Sequence, residues 1–575
     1  MRPLLPLLRP LCLSLALGLT ASLPQTAGAE TLGSGFAGSY LAARHASYNS
    51  DYTAAADYYT RALARDRNNP ALQENALLAF TGLGRIDAAV TIARQMRELG
   101  LDSQMASMVL MAELLGDARY RDVIDGVSDE LSVGPLVDGL VKAWSLMGEG
   151  EAEAAMAEFD AAAETTGLDA FALYHKALAL ALAGDFEKAE VIFSGAAGAP
   201  LRLTRRGAFA HAQVLSQLDR NSAALELIEV GFGSDLDPGL EKLVEQLEAG
   251  ETVPFTQVRS VRDGLAEVFY TVAGALEGEA ADSYTLLYTR IAEYLRPDHV
   301  DAILLSANLL ESQGQYELAT KAYNRVSSDD AGFHVAEIGR ADALRRSGRA
   351  DEAIEVLQQL AEARGNLPIV HVTLGDALRG EERYDEASKA YDAAIALFEG
   401  DEAGQWIVYY ARGITHEREK RWELAEADFR KALELNPGQP QVLNYLGYSF
   451  VEMQTNLDEA LEMIEEAVAA EPGSGYIIDS LGWVLYRFGQ YEEAVIHLER
   501  AAELMAVDPI VNDHLGDAYW AVGRRIEARF QWHRALSFEP EPEEAERIRR
   551  KLEVGLDAVL AEEGAEPLSV ANEDG

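Results

Sequence analysis

The sequence predicts an all-α fold, a right-handed solenoid of antiparallel helix pairs in two segments, and an internal repeat is the main reason. The residues Tyr-Asp-Glu-Ala at 384–387 return as Tyr-Glu-Glu-Ala at 491–494. A fixed period of about 20 to 50 residues is typical of solenoids, whose units bury an apolar face only by stacking on their neighbours. Alanines mark the period at 34 to 38 residues: Ala319, Ala353, Ala387, Ala425, Ala460, Ala494 and Ala528.

Each unit is predicted to be a helical hairpin. Within residues 475–509, apolar side chains follow the i, i+3, i+4, i+7 pattern from Ile478 and a similar helical spacing from Tyr491. This spacing places them on one face of an α-helix. A turn at 489–490 separates the two helices, and Pro509 ends the second because proline cannot continue a helix.

Small residues recur where the paired helices should be closest. A glycine lies 12 or 13 residues before each of five alanines, and a larger side chain there would overpack the contact by about 1 to 3 kcal/mol. Bulky residues are expected to fill the gaps between successive hairpins, namely Tyr323, Tyr391, Phe429, Leu498 and Trp532. The predicted structural positions are Gly375, Ala387, Gly413, Ala425, Gly447, Ala460, Gly482, Ala494, Gly516 and Ala528.

The repeat also divides the chain. A weaker array with the same period is predicted for 30–230, and a more regular one for 262–540. Between them, glycines and prolines of 231–261 interrupt the rhythm and predict an irregular connection around one short helix. The remaining predictions are a capping helix at 541–562 and a flexible tail at 563–575.

Residues 1–29 predict a cleaved export signal. Arg2 and Arg9 supply positive charge, an apolar stretch runs from 11 to 23, and Ala27-Gly28-Ala29 has the small-x-small cleavage pattern. A retained amino-terminal anchor is the alternative, although this stretch is short for a span of about 20 residues. Periplasmic localisation is expected.

The single cysteine, Cys12, lies in the apolar stretch of that signal and lacks the context of a lipid-attachment site. No disulfide framework is therefore expected, and outer-membrane association stays open.

The charge balance excludes one class of partner. The chain has 49 basic and 95 acidic residues and a net charge of −46. Such a field repels phosphate backbones, so nucleic-acid binding is not expected, whereas basic partners are attracted. A basic cluster at 547–551 is interpreted as a solvated helix face.

No catalytic site or cofactor site is predicted. The ten histidines lack metal-ligand spacing, and His416-Glu417 has Lys420 where a zinc helix would place its second histidine. There is no nucleophile-elbow serine and no glycine-rich phosphate loop. We therefore expect a protein that is not an enzyme and that needs neither a metal nor a small-molecule cofactor.

The pattern from Leu481-Gly482 through Ala501 to Pro509 resembles the tetratricopeptide repeat. That resemblance implies that the first helix of each hairpin lines a groove. Asp479 and Asp513 stand where related arrays use lysines to bind a free carboxylate, so that ligand is not expected. The implied partner-binding residues are Tyr410, Asn444, Tyr448, Asp479, Trp483, Tyr486, Arg487, Asp513, Asp517 and Trp520. For Trp483 and Trp520, packing between hairpins is the alternative.

The regular array ends in Asp-Ser-Leu-Gly-Trp-Val-Leu-Tyr at 479–486 and His-Leu-Gly-Asp-Ala-Tyr-Trp at 514–520. With these motifs most of the chain, and most specifically 430–540, is similar to envelope tetratricopeptide adaptors that bind the carboxyl-terminal processing protease of Gram-negative bacteria. The resemblance implies a non-catalytic periplasmic scaffold that holds a protease and its substrates. The chain departs from that family because a lipid-attachment cysteine is absent. A structural component of an envelope secretion or polysaccharide-export assembly is the alternative.

Overall fold

The computed structural model describes residues 36–127, 130–165, 167–195, 204–233, 236–565 and 568. These residues form 31 α-helices and one short 3-10 turn, with no strand among them, which confirms the all-α solenoid prediction. The predicted export signal and most of the predicted tail lie outside the described residues. The chain divides into two compact units, Met1–Gly332 and Phe333–Gly575.

The first unit begins with six successive helix pairs, and the first helix of every later pair also contacts the helix before it. Their bounds are α1 (Phe36–Tyr48), α2 (Tyr52–Leu63), α3 (Pro70–Gly82), α4 (Ile86–Glu98), α5 (Gln104–Gly116), α6 (Tyr120–Gly126), α7 (Pro135–Gly148), α8 (Ala152–Ala163), α9 (Asp169–Leu182), α10 (Phe186–Phe193), α11 (Arg205–Gln217) and α12 (Asn221–Phe232).

The unit continues with α13 (Pro238–Glu248), α14 (Val261–Leu276), α15 (Asp282–Leu295), α16 (Val300–Ser312) and α17 (Tyr316–Tyr323). The predicted connection at 231–261 therefore lies inside the first unit, and the boundary between the units falls at 332/333. Leu240, Leu243 and Leu247 of α13 are buried against α11 and α12.

Helices α14 and α15 pack on the first helices of the preceding hairpins: α14 on α5, α7 and α9, and α15 on α3 and α5. At Gly264 of α14, an added Cβ would lie 2.5 Å from the buried ring of Trp144. Arg290 of α15 donates to the Gly82 carbonyl at the end of α3. The side of these hairpins formed by their first helices, which we call the inner face, is thus covered by the chain itself.

The second unit contains six hairpins and a carboxy-terminal helix pair. The bounds are α18 (Phe333–Arg346), α19 (Ala350–Ala363), α20 (Pro368–Gly380), α21 (Tyr384–Ile395), α22 (Trp406–Arg418), α23 (Trp422–Leu435), α24 (Pro440–Glu452), α25 (Leu457–Ala470), α26 (Gly475–Arg487), α27 (Tyr491–Leu504), α28 (Pro509–Ala521), α29 (Arg525–Leu536), α30 (Pro542–Val554) and α31 (Leu556–Glu563).

The glycine positions lie at the hairpin crossings, as expected, and the bulky residues pack against them within their own hairpin. An added Cβ at Gly516 would lie 2.5 Å from Trp532, and one at Gly413 would lie 2.6 Å from Phe429. Each ring therefore contacts the glycine of its own hairpin, because the crossing itself leaves room for it. Phe429 also packs between successive hairpins, as predicted, because its ring lies 5.2 Å from that of Tyr445 on α24.

The predicted capping helix is two helices. Gly555 separates α30 from α31 with a φ of 86°, a conformation that favours glycine. An added Cβ there would also lie 2.6 Å from Trp520. The break therefore combines a backbone requirement with a close approach to α28.

Candidate functional site: the inner face of the second unit

All ten candidate residues lie on first helices of the second unit. Tyr410 is on α22, Asn444 and Tyr448 are on α24, and α28 carries three more candidates. Residues spaced by three or four positions share one helix face, so each helix contributes one stripe. The candidates on α26 and α28 are Asp479, Trp483, Tyr486, Arg487, Asp513, Asp517 and Trp520.

The end of this face is covered by the chain's own α30 and α31. The ammonium of Lys551, which has no exposed surface, lies 2.7 Å from carboxylate oxygens of both Asp513 and Asp517. Trp520 Nε1 donates to Asp557 at 2.9 Å. Three predicted partner-binding residues are therefore held by an intramolecular contact.

The interpretation of the basic cluster as a solvated face is wrong for its last residue, Lys551, which is fully buried. Arg547 of the same helix is near both aspartates, at 4.0 Å from Asp513 and 3.8 Å from Asp517. Burial raises the pKa of the Asp517 carboxyl, and Lys551 offsets only part of that rise. The signal available in the sequence was the i, i+4 pair of cations on α30, which matches the i, i+4 pair of aspartates on α28.

Trp483 is part of a packed aromatic stack. Its ring lies 4.0 Å from the His514 ring and 4.8 Å from the Tyr486 ring, in both cases nearly parallel. Its Nε1 donates to Glu452 at 3.0 Å. Trp483 is 8% exposed, so in the structure it packs between hairpins, which is the alternative given for it above.

His514 joins this stack to the acidic part of the face. Its Nδ1 lies 2.9 Å from Asp479 Oδ2. Burial is the largest effect and lowers the pKa of His514, but the carboxylates of Asp479, Asp513 and Asp517 together outweigh it, and the net pKa lies above its usual value. The pair is therefore a buried ion pair when His514 is protonated.

The middle of the inner face is open. A cavity of about 470 Å³ lies along α22, α24, α26 and α28. Three candidate residues line it: Asn444, Tyr448 and Asp479. The other lining residues are Glu417, Arg418, Trp422, Tyr445, Ser449, Glu452, Met453, Tyr476, Ser480, Met505, Asp508, Ile510 and Val511.

One set of residues on this face was not predicted from the sequence. Exposed apolar side chains stand six positions before the crossing glycines on four first helices. They are between 44% and 54% exposed, and their spacing was the signal that could have identified them. These residues are Ile369, Ile407, Tyr476 and Ile510.

The remaining candidates differ in exposure. Tyr410 is half-buried, with its ring 5.9 Å from that of Tyr445. Arg487, at the end of α26, is exposed.

The first unit also has a cavity on its inner side, of about 530 Å³, between α9, α11, α14 and α16. Its polar wall is already paired: Arg206 donates to Glu267 at 2.6 Å and also contacts Asp301, and His299 lies 3.1 Å from Glu267. Burial would raise the pKa of Glu267, but Arg206 and His299 hold it well below its usual value. This network joins α11 to α14 and α16.

The described part of the chain contains neither a metal-binding cluster nor a membrane-spanning helix. Within it, no group of three or more histidine, cysteine or acidic side chains is arranged to hold a metal ion. None of the helices it contains has the length and apolarity to span a bilayer.

Four segments match the sequence model of the tetratricopeptide repeat: residues 40–103, 304–368, 372–440 and 448–509. The chain therefore carries tetratricopeptide repeats, and such repeats are the mark of a protein-binding scaffold. The last matched segment contains the whole of α26, which lines the open cavity, and the end of α24, whereas residues 441–447 fall between two matched segments.

Known proteins share these repeats over part of their length. A TPR repeat-containing protein of Pseudomonas aeruginosa is 29% identical over 213 residues, which is 36% of this chain and 35% of that protein. The human protein O-mannosyl-transferase TMTC1 is 25% identical over 238 residues, 40% of this chain and 26% of that protein. The chain thus spans about a third or less of the length of these relatives.

A solved tetratricopeptide repeat protein from Parabacteroides merdae is 15% identical, with a TM-score of 0.37, over 45% of this chain and 98% of that chain.

Proposed function

We propose that this chain is a non-catalytic scaffold of the cell envelope that binds a partner protein on the inner face of its second unit. The observation that carries the proposal is the open cavity between the first helices, with exposed apolar side chains beside it. Aromatic and apolar anchors at the centre of an interface supply much of the binding energy. A scaffold that holds two proteins together promotes their reaction by raising the local concentration.

The finer proposal concerns compartment and partner. The export signal predicted at 1–29 supports a periplasmic location. The resemblance over 430–540 supports a carboxyl-terminal processing protease, together with its substrates, as the bound proteins. Attachment to the outer membrane is not part of the proposal, because Cys12 lacks the context of a lipid-attachment site.

Affinity capture from the envelope of the native host tests this function. The wild-type chain is compared with a Tyr476→Ala/Ile510→Ser double variant, which removes two side chains that are each 44% exposed. Ile496→Ser is the matched control, since Ile496 is an exposed isoleucine on the second helix α27. Loss of a captured protease in the double variant alone supports the proposal.

Identical captured proteins in all three samples would exclude the inner face as the binding surface. Capture of synthase or pore subunits in place of a protease would support the alternative, a structural role in an envelope secretion or polysaccharide-export assembly. The double variant is preferable to changes at Trp483, Tyr486 or Trp520, because those side chains are less than a tenth exposed and their loss would disturb packing.

A further inference from the structure

Two residues that line the open cavity each carry a buried acceptor oxygen that has no hydrogen-bond donor. Asn444 is 8% exposed and Asp479 is 6% exposed, and both line the cavity. Asn444 Oδ1 and Asp479 Oδ1 each lack a partner, although the other Asp479 oxygen accepts from His514. Buried polar atoms are nearly always hydrogen-bonded, and an unpaired one indicates a missing donor.

A neighbouring position on the same face binds a cationic donor. One hairpin further along, Asp513 and Asp517 bind the buried ammonium of Lys551. Asp479 occupies on α26 the position that Asp513 occupies on α28, three residues before the crossing glycine. On α28 the chain itself supplies the cation, whereas the α26 position faces the open cavity.

The charges around the cavity favour a cation as well. Its lining includes the carboxylates of Glu417, Glu452 and Asp508 in addition to Asp479, against the single cation of Arg418. Apolar contacts are available beside the charges at Tyr476 and Ile510, which together make a mixed acidic and apolar surface. Such a surface complements a segment that carries both basic and apolar side chains.

We propose that this cavity binds a lysine or arginine side chain of a basic segment of the partner protein. The cationic head donates to Asn444 Oδ1 and Asp479 Oδ1. An apolar neighbour on the same segment contacts Tyr476 and Ile510. This inference rests on the proposed function, since it names the chemistry of the segment that the inner face binds.

The test uses the full chain and a short, fluorescent, acetylated and amidated peptide of Lys, Leu and Ala, with a second peptide in which Glu replaces Lys. Binding is measured by fluorescence anisotropy at physiological ionic strength, where long-range attraction to the acidic surface is screened. We expect the Lys peptide to bind and the Glu peptide not to bind. Asn444→Leu and Asp479→Asn should each lower the affinity for the Lys peptide by more than about tenfold.

The control is Asp385→Asn, which removes one negative charge from the exposed outer helix α21 and should leave the affinity unchanged. Equal affinity for all four chains would overturn the proposal, because it would show attraction by the overall negative charge alone. Asn444→Leu leaves the Asp479–His514 pair in place. Weaker peptide binding by this variant would therefore not be explained by loss of that buried contact.

Failure of this inference is distinguishable from failure of the proposed function. If envelope capture depends on Tyr476 and Ile510 but is unchanged by Asn444→Leu, the inner face binds a partner and the cation site is overturned. If Asn444→Leu abolishes capture as well as peptide binding, the inference is supported.

Discussion

The two units build the same helical hairpins but use their inner faces differently. In the first unit, α14 and α15 lie on the first helices α3, α5, α7 and α9, and the buried Glu267 of α14 is paired with Arg206 and His299. In the second unit, α30 and α31 lie on the last hairpin, and a cavity along α22, α24, α26 and α28 stays open. A partner can therefore reach the first helices of a repeat array only where no other part of the chain covers them.

The strongest test of this comparison is Glu267→Ala in the first unit. The change leaves Arg206 and His299 without their shared buried carboxylate, and breaking a buried charge pair costs about 3 to 5 kcal/mol. We expect faster hydrogen exchange throughout α11, α14 and α16, measured by mass spectrometry. Glu245→Ala on the exposed side of α13 is the control, and equal exchange in both variants would show that the network does not hold the inner helices.

In the second unit, Lys551→Met should cause the next largest loss of stability. The methionine leaves Asp513 and Asp517 without their cation, so α30 should detach at neutral pH with a loss of roughly 3 kcal/mol. Limited proteolysis between α29 and α30 measures the detachment. Arg549→Met, an exposed cation on the same helix, is the matched control. Unchanged cleavage of the Lys551 variant would mean that apolar packing alone holds α30.

Buried histidines should give the units different responses to pH. Burial lowers the pKa of His175 and of His211 to about 4. The unfolded chain therefore binds their protons more readily, and the first unit loses stability as the pH falls from about 6.5 toward 4, by roughly 1.4 kcal/mol per pH unit for each histidine. His514 acts in the opposite sense, because its raised pKa gives stability that is present at low pH and lost as the pH rises through the folded-state pKa.

His211→Leu separates these contributions, because both ring nitrogens of His211 lack partners. Urea unfolding of the wild type and the variant at pH 7.5 and 5.5 should show a smaller loss of stability in the variant. An identical loss in both chains would remove His211 from the explanation.

The smallest expected effect is a gain of stability from Asn444→Leu in the absence of a partner. The change removes a buried acceptor that has no donor, and leaving such a group unpaired costs about 1 to 3 kcal/mol. A rise of about 1 kcal/mol in the free energy of unfolding, measured by urea titration, is expected. Asn75→Leu is the control, because the Asn75 amide on α3 already donates to the Ala71 carbonyl and its loss should bring no gain. A lower free energy of unfolding in the Asn444 variant would contradict the absence of a donor for Asn444 Oδ1.

The hairpin architecture could be predicted because it depends on residues close in sequence. Gly516 and Trp532 belong to consecutive helices, and their contact follows from the repeat spacing. Which hairpin a ring packs against was harder to predict, since the same spacing allows the ring to contact its own hairpin or the next one. The groove stripe was also predictable, because helical periodicity places residues such as Asn444 and Tyr448 on one face.

Accessibility within the stripe could not be predicted. Trp483 and Trp520 are aromatic residues on the expected face, yet each is less than a tenth exposed. Their burial depends on the His514 ring and on α31, and the repeat pattern contains no information on either contact. Tyr476 and Ile510 are exposed beside them for the same reason, since nothing in the described chain packs over their position.

The hairpins follow from local sequence, because each one is stabilised by side chains that recur within a single repeat and its neighbour. Which inner face is covered depends on contacts between residues that are distant in sequence. Arg290 reaches the Gly82 carbonyl across 208 residues of chain, and Lys551 reaches Asp513 across 38. Contacts over such separations depend on how successive hairpins stack and curve, which a local pattern of glycines and alanines does not specify.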